Sequence, residues 1–417
     1  MDSLPPLSAH AKRWLLDSVL SPHIDGYVAH LKRGRYAPNT AQRYLACIAH
    51  FARWMKRFRL ALIKVEEAVI VRFLDEHLPH CGCPAPVVRV RRDLHAACGH
   101  LLVVLRDNGV IPMPAVATGP IEEEVRNFDV YMSDAQGLTA ETRRNRIRIV
   151  RRFLLGRFGK RPIVIPALQS SDVSKFIADQ LEQRGTASNA AALSSALRAY
   201  FRYRATRGDH VHALAGVIAS PAHWSLASLP RALSADEIER LLEAFPPSLP
   251  SCRRGYAMVR CALDMGLRTS EISRLALADI DWNDGTITVR RNKSRREDIL
   301  PMPAATGQAI IDYLRFERPP TTNPAVFARR LAPHDVPISP DAVHRLIRDA
   351  YQRIGLKHGR VHALRHALAR RMLEHGSSLK EVADVLRHRS LNTSLIYAKL
   401  DSRNLLAVAL PWPGSTA

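Results

Sequence analysis

Val361-His-Ala-Leu-Arg-His366 begins the most informative segment of this chain, which lies in its C-terminal part. The segment continues with Leu386-Arg-His388 and ends with Ile396-Tyr397. Ahead of it, Gly266-Leu-Arg-Thr-Ser-Glu271 introduces a further arginine, and Lys293 follows in a basic turn. Arginines, a lysine, histidines and a tyrosine therefore occur over about a third of the chain. They are the residue types most able to bind an anion or to transfer a proton.

Local patterns around this segment predict mainly helix with a small sheet. Ser234-Ala-Asp-Glu237 has the residues of a capping box, which indicates a helix running to Phe245. Two runs, Thr286–Arg290 and Asp298–Pro301, are typical of short strands joined by the basic turn Arg291–Glu297. Apolar residues at helical spacing predict the helices that follow. These are Ala304–Phe316, Pro340–Ile354, His362–His375, Leu379–Leu386 and Thr393–Lys399.

The residue types suit attack on a phosphodiester. Such attack builds negative charge on the non-bridging oxygens, and planar guanidiniums such as those of Arg268 and Arg365 stabilise that charge. Tyr397 is the candidate nucleophile, and its hydroxyl needs a base or a positive field because its ordinary pKa is about 10. We interpret His362 as the candidate base and His388 as the candidate donor to a phosphate oxygen.

Lys293 is the candidate general acid for the leaving 5′-oxygen. Arginine has too high a pKa for this role, whereas positive neighbours can lower the pKa of a lysine. Lys293 is the only lysine between Lys175 and Lys357, in a segment that otherwise uses arginine. Glu271 and Asp279 are expected to orient arginines and to cap local structure rather than to take part in the chemistry.

Together these motifs resemble the tyrosine recombinases, the phage-integrase family. The resemblance implies an α+β catalytic domain that cuts and rejoins duplex DNA through a 3′-phosphotyrosine intermediate, without cofactor, metal or ATP. It also implies helical DNA-binding modules of the SAM-like core-binding type and a tetramer of protomers on DNA. The catalytic residues that it implies are Arg268, Lys293, His362, Arg365, His388 and Tyr397.

The sequence departs from the family pattern at two places. Asn292 and Ser294 flank Lys293 where the family usually has glycines, so the shape of that turn is open. Arg387 stands where the family often has glycine. For Arg387 we expect simple solvent exposure, with a second phosphate contact as the alternative.

The charge of the chain predicts a polyanionic partner. Lysines and arginines number 61 against 39 acidic residues, which gives a formal net charge of +22 and a pI of about 10.4. Neutralising phosphates with such charge releases counterions and gives affinity for nucleic acid. The sequence has no signal-like leader and no apolar run long enough to span a membrane, so we expect a cytoplasmic, nucleoid-associated protein. Six scattered cysteines predict reduced thiols.

The region before the catalytic domain has two similar halves. Tyr36-Ala-Pro-Asn-Thr40 and the helix after it align with Leu138-Thr-Ala-Glu-Thr142 and its helix, which favours a duplicated helical module. We therefore predict a leader (1–21), two helical modules (22–116 and 117–216), a linker (217–229), a catalytic domain (230–410) and a tail (411–417). Arginines on the second module and beside Lys293 are candidate phosphate contacts. They are Arg143, Arg144, Arg146, Arg148, Arg151, Arg152, Arg290, Arg291, Arg295 and Arg296.

One cysteine- and histidine-rich segment raises a metal site as an alternative to plain buried thiols. Cys81-Gly-Cys83 with His95 and Cys98 has the ligand types of a structural zinc site, although the Cys-x-Cys spacing is tight. Buried thiols in an ordinary loop are the favoured interpretation, so no metal is expected.

Two other functions stay open at this stage. A type IB topoisomerase uses similar tyrosine chemistry but relaxes DNA, and a non-catalytic regulator can keep the fold while losing active-site residues. Each motif residue also has a plain structural explanation, such as a surface arginine, a core histidine or a packed tyrosine. The joint occurrence of all six catalytic candidates favours the recombinase.

Overall fold

The computed structural model is mainly α-helical with one small antiparallel sheet, as the sequence predicts. It forms two compact units, residues 1–111 with 226–417, and residues 112–225. No helix among the described residues is long and apolar enough to cross a membrane. The structure describes residues 7–114, 119–159, 161–184, 187–219, 232–290, 297–356, 361–388, 394, 396 and 397.

The first module is a helical bundle whose core is supplied by every one of its longer helices. The 20-residue helix of this module begins at Pro38, a favoured first helical residue, and buries Leu45, Ile48 and Phe51 on one face. The last helix ends at Asp107, and Asn108 and Gly109 follow it, the glycine with a positive φ of 67°. The helices are α1 (Ala9–Leu16), α2 (Ile24–Arg33), α3 (Pro38–Arg57), α4 (Glu67–Arg72) and α5 (Arg91–Asp107).

The expected leader is partly wrong. Residues 9–16 form α1, which is capped by the hydroxyl of Ser8 and packs against α3. Ala11 and Leu15 are buried in the core of the first module. Burial of such apolar side chains stabilises the helix, so this segment is part of the folded module.

The second unit has its own hydrophobic core. Its first helix opens at Gly119-Pro120, and its second stops at Gly159, which adopts a positive φ of 60°. Phe128, Phe153 and Tyr200 meet in this core. The helices are α6 (Pro120–Asp134), α7 (Ala140–Phe158), α8 (Ser170–Arg184), α9 (Ala187–Thr206) and α10 (His212–Gly216).

In the C-terminal region, further helices and the sheet share one hydrophobic core with a central helix, Cys252–Asp264. The predicted capping box is confirmed, since Ser234 and Glu237 cap each other's backbone N–H groups. The helices are α11 (Ala235–Glu243), α12 (Cys252–Asp264), α13 (Thr269–Arg274), α14 (Ala304–Phe316), α15 (Pro340–Arg353), α16 (Val361–Glu374) and α17 (Leu379–Val385). Of the predicted helix 393–399, only residues 394, 396 and 397 lie among the described residues.

The sheet confirms both predicted strands. Strand β2 (Thr286–Val289) lies between β1 (Ile280–Asp281) and β3 (Asp298–Pro301), and Ile287 pairs with Leu300 in the antiparallel register. The two-residue β1 has no periodic signal and was not predicted. The connection 291–296, with Lys293, lies outside the described residues.

Within the first unit, the N-terminal module and the catalytic region are joined by a polar contact. The Arg35 guanidinium donates to the carbonyl of Pro320 at 2.6 Å and lies 3.7 Å from the carboxylate of Asp335. Apart from residues 9–16 of the leader, the predicted division of the chain into six segments stays a prediction.

Candidate active site

The turn before α13 brings the first arginine to the centre of the C-terminal region. Gly266 has a φ of 58°, and a Cβ there would lie 2.8 Å from a methyl of Leu386. Glycine satisfies both the left-handed backbone and this close approach. Arg268 follows at the start of α13, where its backbone N–H donates to the carboxylate of Glu271 at 2.8 Å.

Arg268 and Arg365 converge on one carbonyl oxygen. Arg365 lies on α16 and is 4% exposed, and its guanidinium donates to the carbonyls of Gly266 and Leu386, the latter at 2.7 Å. The guanidinium of Arg268 reaches the same Leu386 oxygen at 3.5 Å. The two predicted phosphate-binding side chains therefore face the same place, although they are 97 residues apart in sequence.

The exposure expected for Arg387 is wrong. Arg387 is 7% exposed, and its guanidinium donates to Glu271 at 2.8 Å and to the carbonyl of Gly266 at 3.2 Å. Glu271 also accepts from the guanidinium of Arg268 at 2.7 Å. The predicted orienting role of Glu271 is confirmed, and one buried carboxylate holds two guanidiniums in place.

The charges of this cluster leave positive charge uncompensated. Arg268, Arg365 and Arg387 surround Glu271, so three positive charges face one negative charge. Burial, then Arg268 and Arg387, lower the pKa of Arg365 to about 9. Burial raises the pKa of Glu271, but Arg387 and Arg268 outweigh it and hold that pKa below its ordinary value. A bound anion is the natural counterpart of such a cluster.

Tyr397 lies beside this cluster with its hydroxyl bound to a histidine. The residue is 2% exposed, and its hydroxyl oxygen lies 2.8 Å from Nδ1 of His366. The ring of His388 stacks on the tyrosine ring at a centroid distance of 6.2 Å, and its Nδ1 lies 2.7 Å from the hydroxyl of Ser394. Burial raises the pKa of Tyr397, and the charge of Arg365 opposes that rise.

His366 is the histidine that sequence reasoning passed over. His362, the expected base, is exposed at the start of α16, whereas His366 contacts the Tyr397 hydroxyl. Their spacing of four residues places both on one helix face, so the sequence alone favours neither. Burial lowers the pKa of His366 and of His388 to about 4, with His362 and Arg365 adding to the respective effects. Both rings are neutral near pH 7.

The arginines of α7 differ in how much charge they leave available. Arg143 and Arg151 lie 3.4 and 2.7 Å from the carboxylates of Asp129 and Glu122 on α6. Arg146 and Arg152 are partly buried and donate to the side-chain oxygens of Gln136 and Gln180. Arg144 and Arg148 are exposed, and Arg144 is paired with the carboxylate of Glu141 on the same helix.

The basic turn after β2 is described only at its start. Arg290 donates to Asp279 at 2.6 Å, and Asp279 also accepts from the backbone N–H of Ala276, which confirms its predicted structural role. The other candidates in this turn lie outside the described residues. They are Arg291, Lys293, Arg295 and Arg296.

The predicted zinc ligands are not brought together as a set. His95 is exposed on α5, and Cys98 is fully buried in the apolar core of the first module. Cys81 and Cys83 lie instead beside His50 and His77. Half of the proposed ligand set is therefore wrong, because the packing of α3 decides which histidines face the loop.

Comparison with known proteins agrees with this geometry. Residues 231–403 match the phage integrase family model. The chain is 35% identical to a protein of Sinorhizobium fredii (strain NBRC 101917 / NGR234) named as an integrase/recombinase, y4rA, over 88% of each chain. It is 32% identical to the tyrosine recombinase XerC of Pseudomonas aeruginosa over 58% of this chain and 78% of that one.

A solved structure shows the same fold. A lambda integrase dimer bound to a COC′ core site aligns with a TM-score of 0.51 and 18% identity, covering 67% of this chain and 94% of that one. The convergent arginines, the neighbouring tyrosine and the relative that matches over 88% of this chain lead to one assignment. The chain belongs to the phage integrase family, and it is a tyrosine-type site-specific recombinase.

Proposed function

We propose that this recombinase cuts and rejoins duplex DNA through a 3′-phosphotyrosine formed by Tyr397. The observation that carries the proposal is the convergence of Arg268 and Arg365 on the Leu386 carbonyl, next to a tyrosine and with net positive charge. A phosphate bound there would replace contacts to neutral carbonyl oxygens with ion pairs, which are stronger. The lambda integrase neighbour is bound to DNA, which supports duplex DNA as the partner.

In the proposed reaction the two guanidiniums stabilise the charge that develops on the non-bridging oxygens. His388 donates a hydrogen bond to the same phosphate, because a neutral imidazole carries one N–H. The bond between phosphorus and the 5′-oxygen breaks as the bond to the tyrosine oxygen forms. Rejoining reverses the exchange, and neither direction needs an energy source.

The tyrosine proton needs an acceptor within hydrogen-bond distance. We assign this role to His366, whose Nδ1 already lies 2.8 Å from the hydroxyl and whose ring is neutral. His362 remains the alternative base, since it shares the same helix face. Lys293 is the proposed acid for the leaving 5′-oxygen, because positive neighbours can lower the pKa of a lysine whereas the pKa of arginine is too high.

The biological role that we propose is integration or transposition of a mobile element, carried out by a tetramer on DNA. The two helical modules ahead of the catalytic region support recognition of a long or bipartite site. The match to the relative y4rA, named as an integrase/recombinase, covers 88% of this chain and so extends well beyond the catalytic region.

A covalent adduct tests the proposal. Nicked duplexes that tile the DNA flanking the gene trap the phosphotyrosine, since the short leaving strand diffuses away. The wild-type chain is expected to give a protein–DNA adduct that resists denaturing electrophoresis. Tyr397→Phe is expected to give none, whereas Tyr256→Phe, which removes a hydroxyl elsewhere in the same region, keeps it. An adduct that survives Tyr397→Phe overturns the assignment.

Two further outcomes separate the alternative functions. Relaxation of a supercoiled plasmid that lacks any flanking sequence indicates a topoisomerase rather than a site-specific enzyme. Tight binding to flanking DNA with no adduct from any duplex indicates a regulator that has kept the fold.

A further inference from the structure

Four side chains outside the catalytic region meet in the first module. His50 lies in the middle of α3, His77 ends the π-helical turn Phe73–His77, and Cys81 and Cys83 lie in the loop that follows. Their ligand atoms all lie within 4.8 Å of one another. Two imidazoles and two thiols form a common ligand set for structural zinc.

The distances agree with one tetrahedral ion. With Zn–N near 2.05 Å and Zn–S near 2.3 Å, the edges of a tetrahedron are about 3.3 Å for N···N and about 3.6 Å for N···S. In this chain Nε2 of His50 lies 3.1 Å from Nε2 of His77 and 3.3 Å from Sγ of Cys81. Sγ of Cys83 lies 3.7 Å from Nε2 of His77. These three separations lie within about 0.3 Å of the tetrahedral edges, and the remaining pairs of ligand atoms lie within 4.8 Å.

The surroundings fix the orientation of the first ligand. Nδ1 of His50 donates to the carbonyl of Val88 at 3.0 Å, which leaves Nε2 without a proton and directed at the other three ligand atoms. His50 is fully buried, and the ring of Phe73 packs on it at 5.2 Å. An imidazole held in this way is prepared to bind a metal.

Without an ion these contacts are only partly satisfied. A neutral His77 ring can donate from Nε2 to the lone pair of His50 Nε2, but each of the two thiols is only a weak donor. Burying four such polar groups together raises the free energy of the folded chain, and binding of an ion would offset this cost.

We propose that His50, His77, Cys81 and Cys83 bind one structural Zn²⁺. All four positions of the ion are filled by protein, so the site holds structure and carries no chemistry. The ion fastens the loop after His77 to α3, a link that no regular secondary structure supplies between Cys81 and Val90 among the described residues.

The test measures metal on the full-length chain, purified without a histidine tag, under reducing conditions and with zinc in the medium. We expect one zinc per chain by mass spectrometry of the digested metal. Cys81→Ser with Cys83→Ser, and separately His77→Gln, are expected to lower zinc by at least about tenfold, because loss of even an outer-shell partner costs about 10–100-fold in metal affinity. His95→Gln and Cys252→Ser are the matched controls and are expected to keep it.

A second measurement serves if the variants fail to fold. Zinc is removed from the wild-type chain with a chelator, and Co²⁺ is added back. A thiolate-to-cobalt charge-transfer band with tetrahedral ligand-field bands is expected at one equivalent, together with a rise in thermal midpoint. The proposal is overturned if wild-type chain takes up neither metal, or if the His95 and Cys252 controls lose metal as the ligand variants do. Neither result bears on strand cleavage.

Discussion

At the scale of single residues, Glu271 decides the geometry of the catalytic cluster. It is 6% exposed and accepts from both Arg268 and Arg387, so its charge balances two buried guanidiniums. Removing one partner of a buried ion pair leaves the other charge uncompensated, which costs about 3–5 kcal/mol. The arginines would then lack the carboxylate that orients them.

Glu271→Gln is therefore expected to lower the free energy of unfolding of this region by about 3 kcal/mol. Sulfate is expected to recover part of the loss, because an anion bound only to the folded state stabilises it. Hydrogen exchange of α13 and α16 in urea, with and without sulfate, measures both effects.

The matched control is Glu374→Gln, which removes an exposed carboxylate paired with Arg370 on α16. Its cost is expected to stay below about 0.5 kcal/mol. Equal losses for the two variants would show that the buried cluster has no special dependence on Glu271.

At the scale of elements, α17 presents the carbonyl on which the two arginines converge. The helix begins with a capping box between Ser378 and Glu381, and Leu386 follows at its C-terminal end. The free carbonyls at a helix end accept hydrogen bonds from cationic side chains. The position of α17 thus sets the spacing between Arg268 and Arg365.

Ser378→Ala is expected to lower the free energy of unfolding by about 1 kcal/mol, the usual cost of losing an N-cap. It is also expected to slow adduct formation, because a frayed α17 no longer holds Leu386 between the arginines. Urea unfolding and the rate of adduct formation are the two measurements.

Ser234→Ala removes the equivalent capping box of α11, which supplies none of the catalytic side chains. It is expected to cost the same stability and to leave the rate of adduct formation unchanged. A similar slowing in both variants would mean that the rate follows general stability rather than the placement of α17.

At the scale of the whole molecule, the net charge of +22 gives the chain a general affinity for polyanions. The arginines that contribute to this charge fall into two groups, those with a carboxylate partner and those exposed to solvent. Arg143, Arg151 and Arg157 have carboxylate partners, whereas Arg148 is exposed on the same helix α7. An arginine that already has a carboxylate partner displaces fewer counterions on binding.

Arg148→Gln is expected to reduce the slope of log affinity against log salt for duplex DNA by about 0.9, the value for one lost phosphate contact. Arg157→Gln, which removes a side chain 2.9 Å from Asp172, is expected to change the slope much less. Fluorescence anisotropy across a salt series measures both slopes. Equal changes would contradict the division of the arginines into two kinds.

Most of the secondary structure could be predicted from local pattern. The capping box of α11, the strands β2 and β3, and both ends of α14 depend on residues close in the chain, and all are observed. The catalytic motif was also visible, because its arginines, histidines and tyrosine occur in a fixed order. Local free energies of this kind act over a few residues, and a sequence displays them directly.

Contacts between distant residues were decided only by packing. The burial of Arg387 against Glu271, the choice of His366 as the partner of Tyr397, and the meeting of His50 with Cys81 all join different elements. A sequence pattern predicts the face of a helix or strand on which a side chain lies, but it does not predict which other element packs against that face. The packing depends on the free energy of the whole hydrophobic core, to which all segments of the chain contribute.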